Sequence, residues 1–142
     1  MINVIVASHG PLASALLDSA RMVYGDLPHV RAITLNDEAG IEGFRREFAC
    51  TLTHAGESAD GVLVLCDMQS GTPWNVACEY AFSANTVPPL AVLAGVNFPM
   101  LLQTDEISAM TDVHAAAALL LELTQPTLVI AAPMTFTQSD DF

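Results

Sequence analysis

Ile2-Asn3-Val4-Ile5-Val6-Ala7-Ser8-His9-Gly10 is the stretch from which the architecture can be read. Its run from Ile2 to Ala7 is apolar and rich in β-branched residues, the pattern of a strand buried on both faces of a sheet. Immediately after Gly10 the periodicity changes. Leu12, Leu16, Ser19, Ala20 and Val23 fall on one helical face, with Pro11 suited to the first turn and Gly25 to the C-terminal cap. The same alternation continues along the chain. Further short apolar runs occupy Val30 to Leu35, Val62 to Cys66, Leu90 to Ala94 and Thr127 to Ala131. Between them, Ile41, Phe44, Phe48 and Leu52 mark a second helix, and Thr72-Pro73 reads as the N-cap and first residue of a third. A last helix is predicted from Ile107 to Leu123. Strands that alternate with helices need right-handed crossovers, so the expected class is α/β, doubly wound, with a mainly parallel four-stranded sheet and helices on both faces. The flavodoxin-like order 2-1-3-4 would make the first and third strands neighbours at the switch in winding direction.

The composition narrows the functional classes. With 142 residues, about half of them apolar, the chain is the size of one domain and can bury a core without disulfides or metals. Sixteen acidic residues face four arginines and no lysine, for a formal charge of -12, so no basic surface is available to neutralise a nucleic-acid backbone. Such a surface favours a basic protein partner. Cys50, Cys66 and Cys78 are odd in number and form no Cys-x-x-Cys pair, which argues against a disulfide framework or zinc site and for a reducing compartment. The first strand lacks a basic n-region and is too short for a signal-peptide core or a membrane span. A cytoplasmic protein is expected, with no cofactor and no metal. Domain limits are expected at 1–134, followed by a polar, acidic tail at 135–142 that has little to bury and should fray.

In an open parallel sheet, ligands and chemistry gather outside the carboxyl ends of the strands. There the first strand ends in Ser8-His9-Gly10, and the third in Asp67, followed by Met68-Gln69-Ser70-Gly71-Thr72. The fourth ends in Gly95-Val96-Asn97-Phe98-Pro99. If the first and third strands are adjacent, His9 and Asp67 face each other across one crevice. A histidine attacks phosphorus only through an unprotonated ring nitrogen, and a carboxylate on the other nitrogen fixes the tautomer and supports the developing charge. Amide donors at helix N-termini and in the small-residue loop, with Gly10, Ser70, Gly71 and Thr72 as candidates, could receive phosphoryl oxygens. His29, His54 and His114 have no acidic or cysteine partner at metal-ligand spacing and read as structural. Cys66 should point to the face opposite Asp67 as a core thiol. Asn97 reads as a helix cap, while Trp74 and Phe98 fit either the core or an apolar docking surface.

At these residues the chain resembles the enzyme IIA component of the mannose family of the bacterial phosphoenolpyruvate-dependent sugar phosphotransferase system. The resemblance runs to about Met134 and is carried by Ile5-Val6-Ala7-Ser8-His9-Gly10, by Asp67-Met68-Gln69-Ser70-Gly71-Thr72-Pro73-Trp74-Asn75, and by Gly95-Val96-Asn97-Phe98-Pro99-Met100-Leu101. It implies that His9 is phosphorylated by the histidine phosphocarrier protein and hands the group to a IIB component, with Asp67 orienting the imidazole. Membrane IIC and IID components would be met only indirectly. The family motif usually reads Asp-x-x-Gly-Gly-Ser-Pro-x-Asn; here Ser70 replaces the first glycine and Thr72 the serine. Thr72 keeps the hydroxyl, whereas a glycine at position 70 can serve a positive φ or a close phosphate approach. The resemblance also implies a homodimer in which a C-terminal strand, here Thr127 to Ala131, is exchanged and added antiparallel to the partner's sheet. IIB would be a separate polypeptide.

Two other readings use the same residues. One is a non-transport regulatory domain phosphorylated on His9 to control a partner protein. The other is a small hydrolase with Asp67 as nucleophile, for which the sequence offers no accompanying base, metal cluster or phosphate-clamping cation.

Overall fold

The computed structural model describes residues 1–133. Four strands, β1 (Ile2–His9), β2 (Val30–Leu35), β3 (Gly61–Cys66) and β4 (Leu90–Ala94), pair in parallel in the order β2-β1-β3-β4, as predicted. Parallel pairing with crossover helices on both sides explains why β3 is apolar throughout and β1 nearly so, rather than alternating. Every residue of β3, and every residue of β1 before His9, is buried.

Period-two alternation then splits the core into two layers. Ile2, Val4, Val6, Leu63 and Leu65 pack with α1 (Leu12–Val23), α4 (Phe98–Leu102) and α5 (Val113–Thr124). Ile5, Ala7, Val62, Val64 and Cys66 pack on the other face with α2 (Gly40–Gly56) and α3 (Thr72–Ala81). Phe44 and Phe48 of α2 are essentially fully buried there, each worth about 1.5–3 kcal/mol of apolar transfer. Cys66 lies in this layer, and burial, with the nearby Asp67 charge adding to it, pushes its thiol up to about 12, so it is an inert core group. Among the described residues no helix is long and apolar enough to cross a membrane.

Three elements differ from the sequence expectation. In α1 the face turned to the sheet is Ala13, Leu17 and Ala20, while Leu12 and Ser19 are exposed. The helix enters through Gly10 at φ +60° with Pro11 in the N-cap position, and that entry rotates the inward face by about one residue. The last helix does not begin at Ile107. The Ser108 carbonyl is engaged by the Ile2 N–H at 2.8 Å, so the chain is tied to the start of β1 there. The helix begins at Val113, where the Asp112 carboxylate accepts from the His114 and Ala115 N–H groups.

The third difference is the fifth strand. Gln125–Thr127 forms a 3-10 turn, and residues 128–131 have no regular structure. No strand of the same chain lies beside β4 on its outer edge within the described residues, and residues 128–131 are not laid against that open edge. The predicted tail at 135–142 lies outside the described residues.

Candidate phosphoryl-transfer site

β1 and β3 are neighbours in parallel register, Ala7 opposite Cys66, and the Asp67 N–H donates to the Ala7 carbonyl at 3.2 Å. Asp67 follows Cys66 directly and His9 lies two residues beyond Ala7, and the two meet at the carboxyl edge of the sheet. His9 is the exposed residue that ends an otherwise buried strand; its side chain is 44% accessible, that of Asp67 only 12%.

The carboxylate is fully engaged. Asp67 Oδ2 accepts from the His9 backbone N–H at 3.0 Å and lies 2.7 Å from His9 Nδ1, while Oδ1 accepts from the Met68 N–H at 3.0 Å. Burial pushes the Asp67 carboxyl up, but the hydrogen bonds from the His9 backbone and ring, the His9 charge and the Met68 N–H outweigh it. The net position is below the ordinary carboxylate value. An ionised carboxylate can only accept, so in the neutral form of the ring Nδ1 carries the proton and Nε2 keeps its lone pair.

The free nitrogen sits at the start of α3. A Cβ placed on Gly71 would come within 2.6 Å of His9 Cε1 and 3.2 Å of Nε2, so the imidazole rests directly on the Gly71 backbone. Gly71 also takes the N-cap position of α3, with φ -94° and ψ 173°. The N-cap is thus one residue earlier than expected. Thr72 is the first helical residue, and its hydroxyl caps nothing. Because Thr72 opens α3, the positive end of that helix and its unpaired first-turn amides lie next to Nε2.

Gly10 plays a different part from the one expected. Its N–H is already donated to the Leu35 carbonyl at 2.8 Å, and nothing lies within 4 Å of where its Cβ would be. Its contribution is the left-handed turn that carries β1 into α1. Ser70 also adopts the left-handed region, at φ +68°, where a glycine would be unstrained. That conformation costs a residue with a Cβ about 1–2 kcal/mol, against about 0.5–1 kcal/mol of extra unfolded-chain entropy that glycine brings. Ser70→Gly should therefore raise stability, by up to about 1.5 kcal/mol, read as a higher Tm in thermal unfolding. A lower Tm would mean that the serine side chain makes a favourable contact that offsets the strain.

The remaining candidates take structural places. His29 is half-buried with Nε2 2.9 Å from Thr104 Oγ1, and burial, only partly countered by Asp105, lowers its pKa. Asn97 Oδ1 accepts from the Met100 N–H at 2.9 Å and so caps α4, a short helix that the sequence reading left unassigned. Trp74 and Phe98 are partly buried against the two core layers. Around His9 the exposed apolar side chains are instead Leu12 and Met68, its neighbours at the start of α1 and in the loop after β3.

Comparison with known proteins is consistent with this arrangement. The EIIA-man family model, described as PTS system fructose IIA component, matches residues 3–121. The chain is 31% identical over 103 residues to the PTS system fructose-specific EIIA component of Bacillus subtilis, covering 72% of this chain and 68% of that protein. It is 32% identical over 105 residues to the PTS system sorbose-specific EIIA component of Klebsiella pneumoniae, covering 72% of each. The structure of the mannose/sorbose specific IIA subunit of the phosphotransferase system from Enterococcus faecalis superposes with a TM-score of 0.79 at 31% identity, over 95% of this chain and 98% of that one.

Proposed function

The chain belongs to the EIIA-man family of sugar phosphotransferase system IIA components, and from that premise we propose that it is a phosphocarrier working through His9. The histidine phosphocarrier protein is the donor and a IIB component the acceptor. The observation that carries this reading is the 2.7 Å contact between His9 Nδ1 and Asp67 Oδ2, which leaves Nε2 as the nucleophile. Nε2 attacks the phosphorus of the donor's phosphohistidine. A new P–N bond forms as the donor's P–N bond breaks, and the donor imidazole leaves with the bonding pair. The Nδ1 proton stays against Asp67, whose charge offsets the positive charge that develops on the ring. Gly71, Thr72 and Ser70 offer backbone amides to the phosphoryl oxygens. Among the described residues no arginine is paired with Asp67; Arg21 is paired with Asp18 and Arg45 with Glu79. The absence of a cationic clamp favours release over retention.

An accessible nucleophile suits transfer between two proteins, and the sugar itself is selected elsewhere, in membrane components reached only through IIB. This work belongs in the cytoplasm. Incubation with phosphoenolpyruvate, enzyme I and the histidine phosphocarrier protein should add one acid-labile phosphoryl group, read by mass; no addition would refute the role.

A homodimer is the second part of the proposal. β4 is an edge strand. Beside it runs a largely apolar groove of about 330 Å³, lined by residues that include Trp74, Phe82, Leu90 and Val92. Leu128, Val129 and Ile130 are 72%, 77% and 95% exposed, an apolar segment with no cover among the described residues. A second copy can supply the missing strand and close the edge. Light scattering should find a dimer at micromolar concentration, and removal of everything from Gln125 onward should give a monomer or an aggregate. A monomeric full chain would rule the exchange out.

A further inference from the structure

Ser8 is completely buried at the end of an apolar strand, a costly place for a hydroxyl unless it is bonded. Its Oγ accepts from the Ala13 N–H at 2.8 Å and donates to the Gly10 carbonyl at 3.2 Å. The hydroxyl thereby ties the first turn of α1, whose N-cap residue Pro11 has no side-chain cap to offer, to the left-handed turn at Gly10. His9 lies inside this loop. Its own N–H is held by Asp67, the following N–H by Leu35, and the Gly10 carbonyl by Ser8. The backbone on both sides of the histidine is thus anchored, and the Ser8 anchor is the one that joins the turn to the helix.

We propose that Ser8 is a positioning residue for phosphoryl transfer: its buried hydroxyl fixes the His9-Gly10 turn so that His9 Nδ1 meets Asp67 and Nε2 faces the start of α3. This rests on the reading of His9 as the phosphoryl acceptor. Without the hydroxyl the turn has freedom to shift, and a displacement of about 1 Å at a reacting group is enough to lower a rate by about 10²-fold.

The test compares Ser8→Ala with Leu17→Ala, which opens a cavity under the same helix without touching the turn. For Ser8→Ala, kcat for transfer from the phosphorylated phosphocarrier protein should fall about 10–100-fold while KM for that protein holds. The ¹⁵N signals of the His9 ring, recorded where the imidazole is neutral, should move from the Nδ1-protonated pattern toward a mixture of tautomers. Leu17→Ala should lower Tm yet keep both readouts. If Ser8→Ala does not fold, Ser8→Cys, with similar shape and only weak hydrogen bonding, is read by the same criteria. A wild-type ¹⁵N pattern and kcat in the Ser8 variant, with Tm alone reduced, would make Ser8 a helix cap and nothing more; so would equal losses in Leu17→Ala. If wild-type protein takes no label, the phosphocarrier reading has failed, and the ring signals still decide the positioning role of Ser8.

Discussion

His9→Ala abolishes phosphoryl labelling, with no residual signal at any other histidine. The expectation rests on what the other three lack. The His29 ring is half-buried and its Nε2 is committed to Thr104, while His54 and His114 are exposed on α2 and α5 and their rings touch no carboxylate among the described residues. His9 alone combines exposure, a carboxylate at 2.7 Å and a nitrogen left over beside a helix N-terminus. The fold should be indifferent to the change, because the side chain lies outside both core layers. Mass analysis after incubation with the upstream phosphotransferase proteins, together with a circular dichroism spectrum of the variant, gives the answer. Label that survives the substitution, or label stable to acid, would sink the whole assignment.

Asp67→Asn keeps the size of the side chain and slows transfer, by a factor on the order of 10²–10⁴. The amide has one acceptor oxygen where the carboxylate has two. It cannot serve the His9 backbone, the His9 ring and the Met68 N–H as Asp67 does, and it has no charge to offset a cationic imidazole. Stopped-flow measurement of transfer in both directions tests this, and unchanged rates would reduce Asp67 to a structural strand end. The same residue carries a pH signature. Its folded pKa lies below its unfolded one, so its contribution to stability is complete above the ordinary carboxyl value of about 3.9 and is lost as pH falls through the lowered folded value. Acid titration should find wild type losing stability relative to Asp67→Asn in that window, with the difference constant at neutral pH.

How much of this was legible beforehand follows from the range of the forces involved. The strands could be read because burial on both sheet faces writes an apolar run into Val62 to Cys66, and into Ile2 to Ala7 with only Asn3 interrupting it. His9 and Asp67 stood out as polar residues ending such runs, and the crossover rule brought those ends together. Ser70 was legible as a departure from a motif, and its positive φ follows from the conformation that the position requires. The role of Ser8 was not legible. A serine after an apolar strand looks the same whether or not its hydroxyl closes a turn, and the carbonyl and amide it bridges are placed by the packing of α1.

The local patterns of the chain therefore determine the α/β class, the four strands with the first three helices, and the polar residues His9 and Asp67 that end β1 and follow β3, because hydrophobic period and turn chemistry act within a few residues. Tertiary structure alone decides the rest. The inward face of α1, the late start of α5 and the resting of the imidazole on Gly71 all depend on contacts between segments far apart in the chain. So does the irregular state of residues 128–131, since a strand exists only where another backbone supplies its hydrogen bonds, and within the described residues this segment is not laid against the open edge of β4.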